Sequence, residues 1–106
     1  MRDAYQELRS MLEEDEKVEA IVFGPASTDW WRDRPKDPPV GRVLTLEEAE
    51  PYMRGWEARG GYGIAMVFPF YAWTDRSVLF IAEYDGMTWI AKVPRNPVEC
   101  EPELIS

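Results

Sequence analysis

The sequence predicts an α+β domain in which an N-terminal helix packs on a small antiparallel sheet with a C-terminal three-stranded meander. Three observations support this prediction: a helical spacing of apolar residues near the start, two strand-type runs joined by Asp85-Gly86, and a length of 106 residues. Domains commonly contain roughly 100–150 residues, so one hydrophobic core is expected. We assign residues 1–98 to a single α+β domain and expect an irregular C-terminal tail over 99–106.

The first element is a predicted helix over residues 3–14. Its apolar stripe has a helical spacing and consists of Ala4, Leu8, Met11 and Leu12. The helix should end at the acidic residues 14–16, because the helix dipole disfavours anions at a C-terminus. Residues 18–23 are rich in β-branched and aromatic side chains and are followed by Gly24-Pro25, which predicts a strand.

Residues 24–41 contain four prolines and no apolar period, which predicts a long loop. Such loops are often binding segments, and disorder is the ordinary alternative. Two adjacent indoles here are interleaved with basic residues, and the candidate binding residues are Trp30, Trp31, Arg32, Arg34 and Lys36. They could stack on a ring and neutralise a phosphate. The alternative is a solvated loop with one indole folded back onto the domain.

A second, short helix is predicted from Thr45, which forms a capping box with Glu48. Pro51 should kink this helix or restart it, and the helix should end before Gly55. Residues 62–73 then read as a strand that Pro69 weakens.

The meander continues with strands over 78–84 and 87–93, joined by a two-residue hairpin loop. This loop fixes a register that places Tyr84 opposite Met87 and Trp89 opposite Ala82. We expect the first helix to pack on the face that carries Phe80, Ala82, Trp89 and Ala91, because its large and small residues alternate. The opposite face carries Leu79, Ile81 and Ile90, and a homodimer is predicted if nothing in the chain covers it.

The composition argues against catalysis. The chain has no histidine, which removes the usual general base and most transition-metal sites. Cys100 lies among acidic residues that oppose its activation, and Gly60-Gly61-Tyr62-Gly63 lacks the context of a phosphate loop. The acidic run 13–16 lacks calcium-ligand spacing. We predict no catalytic residues, no metal and no cofactor; an enzyme that uses Asp, Glu, Arg or Tyr alone is the alternative.

Charge and cysteine usage indicate the kind of partner and compartment. Twenty acidic and twelve basic residues give a formal charge of −8, which disfavours direct nucleic acid binding and favours a partner with a basic surface. The longest apolar run is too short to cross a membrane. A single cysteine and the lack of an export signal predict a cytoplasmic protein.

Two segments carry resemblances to known proteins. Asp15-Glu16-Lys17-Val18 and the run 71–81, with its Thr-Asp-Arg turn, resemble bacterial PH-like domains, which implies an interaction module. The predicted central helix departs from the strand order of a seven-stranded PH-like barrel. The runs 84–89 and 93–97 resemble small uncharacterised prokaryotic and phage-associated proteins.

Together these features predict a small acidic, non-enzymatic binding or inhibitory protein that acts on a macromolecular partner. The phage-associated resemblance implies interference with a host defence system. One alternative is a small-molecule binder that closes Trp30 and Trp31 over a nucleotide-like ligand. The other alternative is a PH-like interaction module.

Overall fold

The computed structural model describes residues 2–26, 36–59 and 68–102 of the chain. In these ranges two helices pack on one face of a four-stranded antiparallel sheet, which confirms the predicted α+β class. The elements, in chain order, are α1 (Ala4–Ser10), β1 (Val18–Phe23), α2 (Leu46–Met53), β2 (Phe70–Thr74), β3 (Ser77–Tyr84) and β4 (Met87–Pro94).

Helix α1 begins one residue after its predicted start and ends earlier than its apolar stripe suggests. The Asp3 side chain accepts from the Gln6 backbone N–H, and the Gln6 side chain accepts from the Asp3 N–H, so both form a capping box. The helix ends at Ser10 and Met11 is its C-cap, whereas the prediction extended to residue 14. Residues 11–16 form turns instead, and these turns direct Glu16 into the protein.

Helix α2 forms as predicted from its capping box. Thr45 Oγ1 accepts from the Glu48 N–H at 3.1 Å, and Glu48 Oε1 accepts from the Thr45 N–H at 2.9 Å. The helix runs through Pro51 to Met53 with no restart, which corrects that part of the prediction. Pro51 is the sixth residue of α2, so its missing N–H removes one hydrogen bond near the end of this short helix.

The two helices are tied together by Arg54, the C-cap of α2. Its guanidinium lies 4.2 Å from the centre of the Tyr5 ring of α1 and pairs with both Glu50 and Asp3. After α2, the Trp56 indole N–H donates to the Tyr52 carbonyl at 2.8 Å, and the Trp56 side chain packs in the core. The helical layer is therefore held by side-chain contacts between its own members as well as by burial.

The strands follow the order β1-β2-β3-β4, so β1 adds a fourth strand to the predicted meander. Strand β2 begins at Phe70, directly after Pro69; the prediction of a strand over 62–73 partly lies outside the described residues. On the outer side of β1, Ile21 and Leu44 exchange two backbone hydrogen bonds of 2.8 Å each. This pairing positions the start of α2 against the sheet.

The hairpin register predicted from Asp85-Gly86 is confirmed. Both residues adopt positive φ, at 51° and 81°, as a two-residue turn of this hand requires. Tyr84 pairs with Met87 and Ala82 with Trp89, and the register continues without a shift to Ser77 and Pro94.

The assignment of the core face was wrong. Leu79 is fully buried and Ile90 nearly so, and both join the core cluster with α1 and α2. Trp89, which was expected to anchor the core, is only half-buried and lies on the opposite face. The core is formed by Ala4, Leu8, Ile21, Phe23, Leu44, Ala49, Met53, Trp56, Ala58, Phe68, Phe70, Ala72, Leu79 and Ile90.

Candidate functional site

The loop singled out from the sequence lies largely outside the described part of the chain. Trp30, Trp31, Arg32 and Arg34 are not described, and of the candidate binding residues only Lys36 is, at an exposed position. The nucleotide-binding hypothesis that rests on this loop stays a prediction, as do the PH-like resemblance and the cytoplasmic location.

The acidic residues near the end of α1 form ion pairs with the turn between β2 and β3. Arg76 is at the centre of this group: its guanidinium lies 2.8 Å from Glu13, 3.1 Å from Asp15 and 3.0 Å from Asp75. Hydrogen bonds to Asp15 and Asp75 raise the pKa of Arg76, and the bond from Arg76 lowers the pKa of Asp75. These carboxylates therefore serve a structural contact that fastens residues 13–16 to the sheet.

Glu16 forms a buried ion pair with Lys92 of β4. Lys92 Nζ donates to Glu16 Oε1 at 2.7 Å and to the Met11 carbonyl at 2.8 Å, and Thr74 Oγ1 donates to the other carboxylate oxygen. Burial alone would raise the pKa of Glu16, but the bonds from Lys92, Thr74 and the Glu13 N–H outweigh it and lower that pKa to about 2. A carboxylate this acidic stays ionised near neutral pH and cannot act as a general acid there.

The face of the sheet that the helices do not cover is the most distinctive surface of the described residues. We call it the open face. The register places its side chains on one side of all four strands: Ala20, Val22, Tyr71, Trp73, Val78, Phe80, Ala82, Tyr84, Met87, Trp89, Ala91 and Val93. None of these side chains carries a charge, although charged residues make up 30% of the chain.

Three large side chains of the open face are strongly exposed to solvent. Tyr71 is 57% exposed, Tyr84 is 64% exposed and Met87 is 45% exposed. Trp73, Phe80 and Trp89 are half-buried among their neighbours on the sheet, and the Trp73 ring meets the Tyr71 ring edge-on with centres 6.0 Å apart. The face therefore presents several large rings that its own strands hold in place.

The open face has a regular relief of large and small residues. Phe80 pairs with Ala91 and Ala82 pairs with Trp89, so each bulky ring has a methyl group as its cross-strand neighbour. Both alanines are buried, at 5% and 6% exposure, because the rings stand above them. The middle of the sheet is therefore covered by its own aromatic rings.

One corner of the open face continues into a small pocket of about 220 Å³. Val22 and Tyr71 line it from the open face, and Gly24 and Pro69 form its end. Three residues of the covered face complete its lining: Phe23, Phe70 and Ile81. Gly24 donates its N–H to the Pro69 carbonyl at 2.7 Å, and a β-carbon at this position would lie 3.2 Å from the proline ring. Glycine therefore permits the close approach that shapes this pocket.

A larger cleft of about 580 Å³ lies on the other side of the molecule, beside the end of α1. Its lining is mixed, with Leu12, Val18 and Leu46 below and the charged side chains of Arg9, Glu13, Glu14 and Lys17 around it. Cations and anions alternate around this cleft, so its charge does not select one class of ligand.

Neither a metal nor a membrane is indicated by the described residues. In residues 2–26, 36–59 and 68–102, no three metal-ligating side chains are grouped so that they could hold an ion. Neither α1 nor α2 has the length and apolar character needed to cross a bilayer, and the described ranges hold no other helix.

Comparisons with known proteins identify no relative of this chain. A scan against models of protein families and searches of curated proteins and of solved structures each returned no significant match.

The sequence pattern identified the residues of the open face but assigned them to the core. Phe80, Ala82, Trp89 and Ala91 do share one face, as the hairpin register predicts. The signal that could have revealed this face is the pairing of β2 with β3. This pairing places Tyr71 and Trp73 on the same face as Phe80, and it places the small Ala72 on the opposite face. The start of β2 could not be located from the sequence, so this pairing was not recognised.

Proposed function

We propose that this protein is a small, non-enzymatic binding module that engages another protein through the open face. The observation that carries this proposal is a four-stranded sheet face, rich in aromatic residues and free of charge, that the described helices leave uncovered. Large contiguous apolar patches on soluble proteins mark interaction sites. Tyr, Trp, Phe and Met are also the residues enriched at protein–protein interfaces.

The geometry of the face supports an interface with a few dominant contacts. Binding energy concentrates where an aromatic or aliphatic side chain fills a desolvated pocket. The pocket of about 220 Å³ beside Val22 and Tyr71 offers such a place to a side chain of the partner. The half-buried Trp89 and Phe80 are already restrained by their neighbours, so binding would cost little side-chain entropy there.

Charge supports a partner whose apolar surface is surrounded by basic residues. The chain carries a net charge of −8, so the protein as a whole attracts a basic surface. Opposite charges around an apolar centre speed association and disfavour wrong partners. Masking such a surface would inhibit the partner, and the resemblance to phage-associated proteins supports a component of host defence as its target.

The chemistry of the carboxylates supports binding over catalysis. Glu13, Asp15 and Asp75 pair with Arg76, and Glu16 pairs with Lys92. These groups are neutralised by fixed cations, and the chain has no histidine to act as a base. A general acid or base near neutral pH would need a different environment from the one that these residues occupy.

The test is a comparison of captured proteins between two matched double variants. Tyr71→Ser with Tyr84→Ser removes two exposed rings from the open face, whereas Val40→Ser with Val43→Ser removes exposed apolar side chains from the segment between β1 and α2. We expect affinity capture from a prokaryotic lysate, read by mass spectrometry, to yield a protein that the wild type and the control retain. The face variant should lose it by at least about tenfold.

The captured protein must then bind in purified form, and its binding should weaken as salt rises, because the charges around the face are complementary. A partner retained equally by both double variants would contradict the proposal. Capture of nothing by the wild type at low salt would contradict it as well.

A further inference from the structure

We infer that, without its partner, the protein forms a homodimer in which two copies pack open face against open face across a two-fold axis. This inference rests on the proposed function, because the surface is the same, and it adds that self-association and partner binding compete. The sequence predicts a dimer through Leu79, Ile81 and Ile90 only if nothing in the chain covers them. These residues face the helices in the structure, so the surface available to a second copy is the opposite one.

The first argument is electrostatic. A two-fold interface brings each residue of a surface against the same surface of the other copy, so a charge near the axis meets its own equivalent. None of the residues that the strand register assigns to the open face carries a charge, and Glu19, at the irregularity between Val18 and Ala20 in β1, is paired with Arg95. The contact therefore contains no like-charge pair, although each chain carries a net charge of −8.

The second argument is shape. The half-buried Phe80 and Trp89 lie across the strands from the buried Ala82 and Ala91, so the centre of the face is covered by aromatic rings. Two sheets pack about 10 Å apart with their strands rotated by about 30°, and their side chains interdigitate. A two-fold rotation about the centre of the face can set the rings of one copy against the rings of the other.

The third argument is area. Strands β3 and β4 contain eight residues each, which corresponds to about 27 Å at roughly 3.4 Å per residue. Strands β1 and β2 are shorter, with six and five residues, so four strands about 4.8 Å apart give a face of about 440 Å² per copy. The total of about 900 Å² lies just below the size of a stable specific interface and in the range of weak, transient ones. We therefore expect a weak dimer with a dissociation constant of about 10–100 μM, which a partner can displace.

The homodimer and the complex with a partner should respond differently to ionic strength. Two copies with the same net charge repel each other, so raising the salt concentration screens this repulsion and strengthens the dimer. A partner with a basic surface is attracted, so the same change weakens its binding. The two equilibria should respond to salt in opposite directions.

The test is sedimentation equilibrium of the purified full chain from about 1 to 500 μM, at low and high salt. We expect a monomer–dimer equilibrium whose dissociation constant falls severalfold between about 0.05 and 0.5 M salt. Tyr71→Glu puts two carboxylates into the contact and should weaken the dimer by at least about tenfold. Val40→Glu, at a similarly exposed position elsewhere, should leave it unchanged.

A chain that stays monomeric at every concentration and salt would overturn the inference, and so would a dimer that Tyr71→Glu does not weaken. Circular dichroism of both variants shows whether they are folded, and Tyr71→Lys gives a second charged variant at the same position. A monomeric chain that still captures a partner through the open face would refute the dimer alone. A dimer that captures nothing would refute the proposed function alone.

Discussion

In β3 and β4 the open face is the more apolar of the two faces of the sheet, yet the helices cover the other one. The covered face carries Leu79 and Ile90 together with Thr88 and Lys92, whereas the open face carries Phe80, Trp89 and no charge. Apolar content therefore does not decide which face is buried. Thr88 and Lys92 distinguish the covered face, because each has a partner in the layer above.

These polar contacts fix the covering layer at both ends of β4. Near the hairpin, Thr88 Oγ1 donates to the Ala58 carbonyl at 2.9 Å and holds the segment after α2. Nearer the other end, Lys92 donates to the Met11 carbonyl and to Glu16 and holds the segment after α1. No buried side-chain nitrogen or oxygen in the described part of the chain lacks a hydrogen bond. Burial of polar groups is tolerated under this condition.

The largest effect is expected from breaking the buried ion pair. Lys92→Met leaves the Glu16 carboxylate buried without its cation, which should lower the free energy of unfolding by about 3–5 kcal/mol. The double variant Glu16→Gln with Lys92→Met removes both charges and should recover more than half of this loss. Urea unfolding at neutral pH measures both. A loss of less than about 1 kcal/mol in the single variant would show that the pair does not hold the covering layer.

The second-largest loss of stability is expected on the covered face of β3, and a neighbouring residue on the open face provides the comparison. Leu79 is fully buried against the helices, and Leu79→Ala should lower the free energy of unfolding by about 3 kcal/mol through lost burial and a cavity. Val78 is half-buried on the open face, so Val78→Ala should lower it by about 1 kcal/mol or less. Thermal and urea unfolding give the two values. Equal losses would mean that both faces are covered.

The third effect is a loss of stability in acid that depends on Glu16. Its pKa falls from 4.5 to about 2 on folding, so its ionised form stabilises the protein fully above about pH 4.5. This contribution, on the order of 2–3 kcal/mol, should disappear as the pH falls from about 4.5 towards 2. Unfolding measured against pH should show the loss in the wild type.

Two variants serve as controls for this pH dependence. Glu16→Gln cannot ionise at this position and should lose less stability than the wild type over the same pH range. Glu14→Gln changes an exposed neighbour on the same segment and should follow the wild type. Identical profiles for Glu16→Gln and the wild type would contradict the role assigned to this carboxylate.

The smallest effect on stability is expected at the rim of the open face. Tyr84 is 64% exposed, so Tyr84→Ser should change the free energy of unfolding by less than about 0.5 kcal/mol. The same variant should reduce capture of the partner, because the ring contributes to the surface and not to the fold. A large loss of stability would indicate that part of the chain covers this ring.

Local rules predicted much of the fold. The capping box at Thr45, the strand 18–23 and the turn at Asp85-Gly86 each depend on a few neighbouring residues, and all three are confirmed. The end of α1 was predicted too late, because Glu16 has its partner, Lys92, on β4, 76 positions along the chain. A contact of that separation leaves no local pattern.

The choice of face failed for a related physical reason. Strand β3 is apolar on both faces, so alternation could not distinguish them, and Lys92 and Glu83 made the true core face look solvated. Lys92 is compatible with the core only because Glu16 neutralises it. Because the wrong face was assigned to the core, the candidate site was missed too. Its residues were recognised as sharing one face of the sheet, but they were expected to pack in the core. Of the candidate binding residues in the loop with Trp30 and Trp31, only Lys36 lies among the described residues.

The central claim is that one side of this sheet is sealed by helices and the other is accessible to a protein partner. Thiol labelling of Tyr71→Cys and Ala72→Cys tests it most directly, since these β2 neighbours are 57% and 0% exposed. Both variants carry Cys100→Ser, because the natural cysteine is exposed, and both are labelled at concentrations where the chain is monomeric. The cysteine at 71 should react at least about a hundredfold faster than the one at 72. Similar rates, or faster reaction at 72, would contradict the account.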